Sequence, residues 1–279
     1  MLKDEIKRCR QRLFDGGIED AAHEAALIAR HVTGFDRAGQ IVHADDEITP
    51  AQINKFNSVT EKRLTRYPLQ YLLGSWTFMG IELCVGEGVL IPRDDTEVCV
   101  SLCLDYLKNT RGARAADLCS GSGAVALALE SFAGADVTAV ELSDEAFKFL
   151  KKNISLNNSS VRPVLGDVLK CHADFADGSF DLIASNPPYI PARELDGLQP
   201  EVKFEPRTAL DGGEDGMDFY RAIVKLWTRK LRRGGALVFE LGEGQAENAA
   251  RLMKAQGFGN IRTALDFGGE QRAIIGTLL

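Results

Sequence analysis

Four consecutive residues, Asn186, Pro187, Pro188 and Tyr189, have the chemistry of a site that holds a planar NH2 group. Two successive prolines fix φ and remove two backbone donors, which leaves carbonyl oxygens facing outward as acceptors. The side-chain oxygen of Asn186 and the carbonyl oxygen of Pro187 can each accept one hydrogen, and Tyr189 offers a flat face. We therefore assign substrate binding to all four residues and a catalytic role to Asn186, Pro187 and Tyr189.

Such a site selects a nitrogen that carries two hydrogens. A carboxylate offers none, and it would leave each buried acceptor unpaired at a cost of about 1–3 kcal/mol. An amide nitrogen is a poor nucleophile because its lone pair is delocalised into the carbonyl group. Holding both hydrogens on acceptors turns the lone pair toward an electrophilic methyl group and stabilises the positive charge that develops on nitrogen. The motif predicts methyl transfer by in-line displacement, without a strong general base.

The glycine-rich run 117–123, Asp-Leu-Cys-Ser-Gly-Ser-Gly, is a second candidate site, between a predicted strand and a predicted helix. Gly121 and Gly123 would let the backbone approach a ligand closely, with N–H groups at the helix start facing it. Glu141 follows about 20 residues later, where an acid can accept hydrogen bonds from a ribose diol. The dinucleotide pattern G-x-G-x-x-G is not met, so a nucleoside without a pyrophosphate fits better than a nicotinamide cofactor.

Strands and helices that could position these residues alternate from residue 114 onward. The predicted strands are 114–118, 136–141, 161–165, 180–185, 236–241, 261–265 and 273–278. The predicted helices are 122–132, 144–156, 216–232 and 245–256. This alternation predicts an α/β fold with an open, mostly parallel sheet covered on both faces. About seven residues separate the last two strands, too few for a parallel crossover, so the last strand should be antiparallel.

Both candidate sites fall at the carboxyl ends of predicted strands. The glycine-rich loop, Glu141, Asp167 and Asn186 each end or follow a successive strand. Ligands of open α/β sheets bind at this edge. We therefore expect the nucleoside site and the NH2-binding site to lie side by side.

Residues 1–75 carry helical patterns and no glycine-rich loop. Thr49 and Gln52 form a predicted capping box around Pro50 at the first helical position. From 76 to 91 the apolar period changes to two, and Gly86 and Gly88 indicate a turn, which predicts a β-hairpin. The predicted domains are a helical bundle at 1–75, a hairpin connector at 76–91 and a catalytic domain at 92–279.

Composition excludes several classes of protein. Asp and Glu outnumber Lys and Arg by 40 to 33, for a net charge of −7, so the bulk charge does not suggest a basic face for nucleic acid. The six cysteines form no CxxC pair and the four histidines show no metal-ligand spacing, so no metal is expected. No apolar run has the length of a membrane span and no leader pattern is present, which predicts a cytoplasmic protein.

Taken together, the motifs resemble the class I methyltransferase superfamily, and within it the N5-glutamine methyltransferases of class I peptide chain release factors, the HemK/PrmC family. The resemblance covers most of the chain. It is carried by the runs 67–74, 90–97, 117–123, 185–190, 204–210, 216–220 and 266–272. It implies a Rossmann-like, mostly parallel seven-stranded sheet with an antiparallel last strand, and a small N-terminal helical bundle.

The resemblance also implies S-adenosyl-L-methionine as the cofactor and S-adenosyl-L-homocysteine as its product. By position, Glu141 would bind the ribose and the glycine-rich loop the methionine moiety. The full implied cofactor set is Cys119, Ser120, Gly121, Ser122, Gly123, Glu141, Asp167, Val168 and Asn186. The chain departs from the superfamily at Cys119, where glycine is frequent, and at Val168, where some relatives have an aromatic residue beside the adenine.

By resemblance, the substrate is the side-chain amide nitrogen (N5) of the glutamine in the Gly-Gly-Gln motif of class I release factors. The N-terminal bundle would recognise this protein partner, with no membrane and no direct nucleic-acid binding. Two alternatives share the same reacting chemistry. One is a glutamine methyltransferase of a ribosomal protein, and the other is an adenine-N6 methyltransferase of DNA or RNA, since the exocyclic NH2 of adenine presents the same two hydrogens.

Overall fold

The computed structural model describes residues 1–279, and the chain divides into two compact units. The helical unit consists of Met1–Gly74 together with Gln199–Phe204. The α/β unit consists of Ser75–Leu198 and Glu205–Leu279. The segment Gln199–Phe204 therefore leaves the α/β unit in sequence and packs with the helical unit. None of the helices combines the length and apolar character that a membrane span requires.

The helical unit is built around a small apolar core that includes Leu13, Ile28 and Phe56. Its helices are α1 Leu2–Asp15, α2 Ala21–Thr33, α3 Arg37–Val42, α4 Pro50–Leu64 and α5 Leu69–Leu73. The predicted capping box is present at the start of α4, where Thr49 accepts from the backbone of Gln52 and the Gln52 side chain accepts from the backbone of Thr49. The prediction of an N-terminal helical bundle is confirmed.

The α/β unit begins with a hairpin of β1 Ser75–Phe78 and β2 Ile81–Cys84. Its turn lies at Met79 and Gly80, whose φ angles of 49° and 80° are the left-handed values that a two-residue hairpin turn requires. The glycines expected to mark the turn, Gly86 and Gly88, come after the hairpin instead. The prediction that these two glycines form the turn was wrong, because the Met79-Gly80 pair forms it earlier in the chain.

A seven-stranded sheet with the order β5-β4-β3-β6-β7-β9-β8 forms the centre of this unit. The strands are β3 Arg114–Leu118, β4 Asp136–Glu141, β5 Arg162–Leu165, β6 Phe180–Ser185, β7 Leu231–Glu240, β8 Phe258–Leu265 and β9 Gln271–Leu278. Strands β3 to β7 are parallel to one another, and β9 pairs antiparallel with both β7 and β8. The predicted mostly parallel sheet with an antiparallel last strand is confirmed.

Helices cover both faces of the sheet through two separate apolar clusters. They are α6 Thr96–Leu107, α7 Ala124–Ala133, α8 Asp144–Leu156, α9 Asp218–Trp227 and α10 Ala246–Ala255. The first three pack on one face, and α9 and α10 pack on the other around the buried Trp227. The helix predicted at 216–232 was too long, because the chain leaves α9 at Trp227 and Leu231 pairs with Phe180 in the sheet.

Parallel register brings the two candidate sites together. Leu118, the last residue of β3, pairs with Ser185, the last residue of β6. The Ser185 hydroxyl donates to the carbonyl oxygen of Leu118 at 2.7 Å, which locks this pairing in the buried core. The glycine-rich loop therefore starts beside Asn186, as the carboxyl-edge argument predicted.

Asn153 on α8 joins three parts of the α/β unit. It is fully buried. Its Oδ1 accepts from the backbone N–H of Cys84 at 2.6 Å, and its Nδ2 donates to the carbonyl oxygens of Cys84 at 3.0 Å and Ser122 at 2.9 Å. One side chain thus connects the hairpin to the glycine-rich loop.

We expect Asn153→Ala to lower the free energy of unfolding by about 2–4 kcal/mol, because it leaves several buried backbone groups without partners. Urea denaturation followed by circular dichroism measures this change. Asn157→Ala is the matched control on the same helix, since Asn157 makes exposed hydrogen bonds and should cost under about 1 kcal/mol. Equal losses in the two variants would contradict the assigned role of Asn153.

Candidate active site

A cavity of about 320 Å³ lies at the carboxyl edge of β3, β4 and β6, a volume typical of small-molecule sites. Most of the predicted site residues line it. They are Cys119, Ser120, Gly121, Ser122, Glu141, Asp167, Val168, Asn186 and Pro188. Three predicted residues, Gly123, Pro187 and Tyr189, are not among its lining residues. Sequence reasoning did not assign a role to Thr96, which also lines the cavity.

The glycine-rich loop begins with a strained residue. Cys119 has φ of 61°, in the left-handed region that costs a non-glycine residue roughly 1–2 kcal/mol. This explains why glycine is frequent at this position in the resembling superfamily. Burial raises the pKa of the Cys119 thiol far above its ordinary value, with the nearby Glu141 carboxyl contributing in the same direction. The thiol is therefore protonated and contributes an apolar surface to the cavity wall.

The two glycines of the loop are needed for different structural reasons. Gly121 has φ of 55° and open space where a side chain would start, so its backbone lines the cavity with no side chain in between. Gly123 has φ of 87° and caps α7, and a Cβ there would lie 2.6 Å from the Cδ1 atom of Leu150. Close packing of the loop against α8 therefore accounts for Gly123.

Glu141 holds the glycine-rich loop through its side chain. Its Oε2 accepts from the backbone N–H of Gly121 at 2.7 Å, and its Oε1 accepts from that of Ser143 at 2.7 Å. Burial raises the pKa of Glu141, and these backbone donors oppose the shift. Each carboxylate oxygen can accept a second hydrogen bond, so the group remains able to bind a diol in the cavity.

Asp117 is a buried acid to which the sequence pattern assigned no role. Its Oδ2 accepts from the Ser120 hydroxyl at 2.6 Å and from the backbone N–H of Ala126 at 3.1 Å. It therefore ties the loop to the first turn of α7. Burial raises the pKa of Asp117 to about 7, and the two hydrogen bonds limit the rise.

The side chain of Asn186 is held by the first residue of α6. Its Nδ2 donates to the Thr96 hydroxyl at 3.3 Å. This contact uses the donor end of the amide, so Oδ1 remains the end available to a ligand. Thr96 is buried, and its position at the end of the run 90–97 gives that run a function in the site.

The backbone of Tyr189 packs closely against the segment 212–216, which is separate from the glycine-rich loop. A Cβ at Gly212 would lie 2.7 Å from the Cα atom of Tyr189, and a Cβ at Gly216 would lie 2.3 Å from its carbonyl oxygen. The same carbonyl oxygen accepts from Nε2 of Gln245 at 2.8 Å. The Tyr189 hydroxyl donates to Oε1 of the buried Glu240 at 3.3 Å. Glu240 ends an apolar strand as Glu141 does, a signal that sequence reasoning could have used.

Glu205 anchors the segment that precedes α6. It is buried, accepts from the backbone N–H of Ile91 at 3.0 Å and forms an ion pair with Arg93. Both contacts are with the segment that leads into α6.

The fold is that of known methyltransferases. The catalytic domain of hMettl16, solved with a MAT2A 3′UTR hairpin, has the same fold with a TM-score of 0.59, 15% identity and coverage of 82% of this chain and 80% of that one. A methyltransferase from Pyrococcus furiosus gives a TM-score of 0.52 at 22% identity, over 72% of this chain and 90% of that one. At these identities the likeness shows the fold alone.

Sequence comparisons define the family. Residues 5–74 match the PrmC N-terminal domain and residues 87–198 match the methyltransferase small domain. The release factor glutamine methyltransferase of Geobacter sulfurreducens is 39% identical over 96% of this chain and 94% of the relative. That of Thermodesulfovibrio yellowstonii is 38% identical over 90% and 91%. The chain is an S-adenosylmethionine-dependent methyltransferase. It belongs to the release factor glutamine methyltransferase family.

We expect Glu141→Ala to weaken S-adenosylmethionine binding at least about tenfold, because a charged acceptor worth about 1.5–3 kcal/mol is lost and the loop loses its anchor. Isothermal titration calorimetry measures the dissociation constant. Glu247→Ala is the control, since Glu247 is an exposed acid on α10. Unchanged affinity in Glu141→Ala would contradict the assignment of Glu141 to the cofactor.

Asp117 makes stability depend on pH. Because its folded-state pKa is raised to about 7, the folded protein keeps a proton that the unfolded chain has released above its ordinary pKa near 4. Its contribution to the free energy of unfolding is therefore lost as pH rises through that window. We expect stability of the cofactor-free protein to fall between about pH 4 and about pH 7, and the fall to be shallower in Asp117→Asn. Denaturation at stepped pH measures both slopes, and parallel curves would contradict the assignment.

Proposed function

We propose that this protein transfers a methyl group to the side-chain amide nitrogen (N5) of the glutamine in the Gly-Gly-Gln motif of class I peptide chain release factors. The observation that carries the proposal is the orientation of Asn186, whose donor end is bound to Thr96 while Oδ1 remains available as an acceptor. An acceptor at this point selects a substrate with an N–H donor. A glutamine amide provides two of them.

S-adenosylmethionine, when bound, supplies a methyl group on a positively charged sulfur. The cavity residues fit this group, since Glu141 offers carboxylate oxygens for a ribose, and Asp167 and Val168 lie on the same wall. The volume of about 320 Å³ suits a nucleoside-sized ligand. We assign cofactor binding to Cys119, Ser120, Gly121, Ser122, Gly123, Glu141, Asp167, Val168 and Asn186.

The substrate nitrogen is held by acceptors. Asn186 Oδ1 takes one hydrogen of the amide, and the carbonyl oxygen of Pro187 takes the other. Pro188 lines the cavity beside them, and Tyr189 provides the face against which the planar amide lies. These contacts stabilise the positive charge that develops on nitrogen during the transfer, and the excess proton leaves to solvent afterwards. A carboxylate substrate would leave both acceptors unpaired.

Adenine-N6 methylation uses the same reacting group, so the choice between substrates rests on other parts of the chain. The relatives named as release factor glutamine methyltransferases match nearly the whole chain, including the helical unit. A net charge of −7 does not favour a groove for nucleic acid. The RNA-bound structural neighbour shares the fold only. A glutamine of a ribosomal protein remains the alternative within the same chemistry.

The helical unit is the proposed recognition domain for the release factor. This unit includes the segment Gln199–Phe204, which begins about ten residues after the motif at 186–189. Within this unit, Glu201 forms an ion pair with the buried Arg63 at 2.9 Å, and the Phe204 ring packs edge-on against Tyr67 with centroids 5.2 Å apart. The recognition domain thus contains a segment that continues directly from the substrate motif.

The proposed activity is tested by incubating the protein with labelled S-adenosylmethionine and purified release factor. Parallel reactions contain the Gln→Glu and Gln→Asn variants of the release factor, intact ribosomes, and DNA. We expect label in the wild-type release factor alone, with mass spectrometry locating it on the glutamine. Label in ribosomal protein or DNA, and none in release factor, would overturn the proposal.

We expect Asn186→Ala to lower kcat about 10²–10³-fold and S-adenosylmethionine affinity by far less, at most about tenfold, because it removes an acceptor that acts mainly on the transition state. Steady-state kinetics and calorimetry measure the two quantities. Asn248→Ala, an exposed position on α10, is the control. Equal turnover in Asn186→Ala and the control would show that the side chain does not hold the substrate.

A further inference from the structure

The end of β7 and the loop that joins it to α10, residues 240–245, contact Tyr189 at three points. The side chain of Gln245 donates from Nε2 to the Tyr189 carbonyl oxygen at 2.8 Å. Gly242 packs against the ring, since a Cβ there would lie 3.0 Å from the Cδ2 atom of Tyr189. Oε1 of Glu240 accepts from the Tyr189 hydroxyl at 3.3 Å. One short segment therefore contacts the backbone, the ring and the hydroxyl of the same residue.

The side-chain amide of Gln245 has all of its hydrogen-bonding capacity in use. The residue is buried, and besides its bond to Tyr189 its Nε2 donates to the carbonyl oxygen of Gly216 at 3.3 Å. Its Oε1 accepts from the backbone N–H of Gly242 at 2.9 Å and from the Tyr220 hydroxyl at 3.0 Å. A primary amide has two donor hydrogens and two acceptor lone pairs, so these four contacts match it completely.

These partners also fix the orientation of the Gln245 amide. The backbone N–H of Gly242 can only donate, and the carbonyl oxygens of Tyr189 and Gly216 can only accept. Rotation of the amide by 180° would turn Oε1 toward two carbonyl oxygens and Nε2 toward an N–H group, and it would leave these buried groups unpaired. Gln245 therefore presents a donor to the backbone of Tyr189 at all times.

We propose that Gln245 is a positioning residue, which holds the backbone of Tyr189 so that its ring lies flat against the substrate amide. Because the peptide unit is planar, binding the Tyr189 carbonyl oxygen limits the directions that its Cα–Cβ bond can take. Gly242 and Glu240 then limit the rotation of the ring. Gln245 is not among the residues that line the cavity, so it acts through Tyr189 and not through the cofactor. This inference rests on the proposed function.

The residue after Tyr189 is held as well, which makes the position of the Tyr189 carbonyl group the remaining freedom of this turn. The backbone N–H of Ile190 donates to the carbonyl oxygen of Leu210 at 2.9 Å, and its own carbonyl oxygen accepts from Gly212 at 2.9 Å. Without the Gln245 donor, the peptide between Tyr189 and Ile190 would lose the one side-chain contact that sets its tilt. A small displacement of a group that positions a substrate is enough to lower a reaction rate strongly.

Gln245→Met tests the proposal, because methionine has a similar length and removes the amide. We expect kcat with release factor, counted per S-adenosylmethionine-binding site, to fall at least about tenfold, and the dissociation constant of S-adenosylmethionine to stay within about threefold. Counting per binding site removes any loss of folded protein from the comparison. Gln256→Met is the matched control, since Gln256 is an exposed glutamine at the other end of α10, and both quantities should stay within about threefold of wild type.

Gln245→Glu is the second variant, and it decides the matter should Gln245→Met fail to fold. A carboxylate keeps the acceptors for Gly242 and Tyr220 but has no donor for Tyr189, whereas a protonated carboxyl group regains one. Burial raises the pKa of such a group, so the ratio of kcat, variant over wild type, should rise as pH is lowered from about 9 to about 6. The nearby titratable groups, Glu240, Tyr189 and Tyr220, are present in both proteins, so their titration cancels in this ratio.

A double-mutant cycle separates positioning from a general structural effect. If Gln245 acts through the ring of Tyr189, Gln245→Met should lower the single-turnover rate by less than about threefold in the Tyr189→Ala background. Additive losses from the two substitutions would overturn the proposal, because they would show that Gln245 acts independently of Tyr189.

The remaining outcomes are distinct. Wild-type protein that methylates no release factor contradicts the proposed function. Active wild-type protein, with Gln245→Met and Gln245→Glu keeping kcat within about threefold of wild type from pH 6 to pH 9, overturns the positioning proposal alone. A loss of S-adenosylmethionine affinity as large as the loss of kcat also overturns it, because the residue would then act on the cofactor.

Discussion

The parallel pairing of β3 with β6 is the interaction on which the rest of this structure depends. Because Leu118 pairs with Ser185, the glycine-rich loop and Asn186 leave the sheet side by side at its carboxyl edge. A slip of one residue would reverse the faces of all side chains on a strand, so the buried Ser185 hydroxyl on the Leu118 carbonyl oxygen has a structural role beyond one hydrogen bond. The cavity and the motif at 186–189 lie side by side for this reason.

Most elements of the α/β unit could be predicted because short apolar runs there end at glycine or at a polar residue. The strands 114–118, 136–141 and 180–185 have the bounds observed in the structure. The overlong helix has a long-range cause, because a partner distant in sequence overrode the local pattern. Residues after Trp227 have a helical composition, but Leu231 pairs with Phe180 in the sheet. No periodicity within the segment contains that information.

The residues of the site divide in a similar way. The sites at Glu141 and at the loop before α7 could be predicted because these residues lie at strand ends. The structure places them around one cavity. The hydrogen bonds that join Thr96 to Asn186 and Glu240 to Tyr189 span 90 and 51 residues of chain, and spacing alone does not reveal them. At such positions the sequence shows only an unexpected residue type, such as the acid at the end of the apolar strand β7.

The glycines that enclose Tyr189 limit how this site could be redesigned. At Gly216 a methyl group would fall 2.3 Å from the Tyr189 carbonyl oxygen, and φ of 76° there already disfavours any other residue. A library intended to change substrate choice therefore has little freedom in this backbone. Its variation belongs in side chains that line the cavity without such contacts, for example Leu90, Thr208 and Phe219. Main-chain packing fixes the segment at Tyr189, whereas these cavity side chains are open to selection.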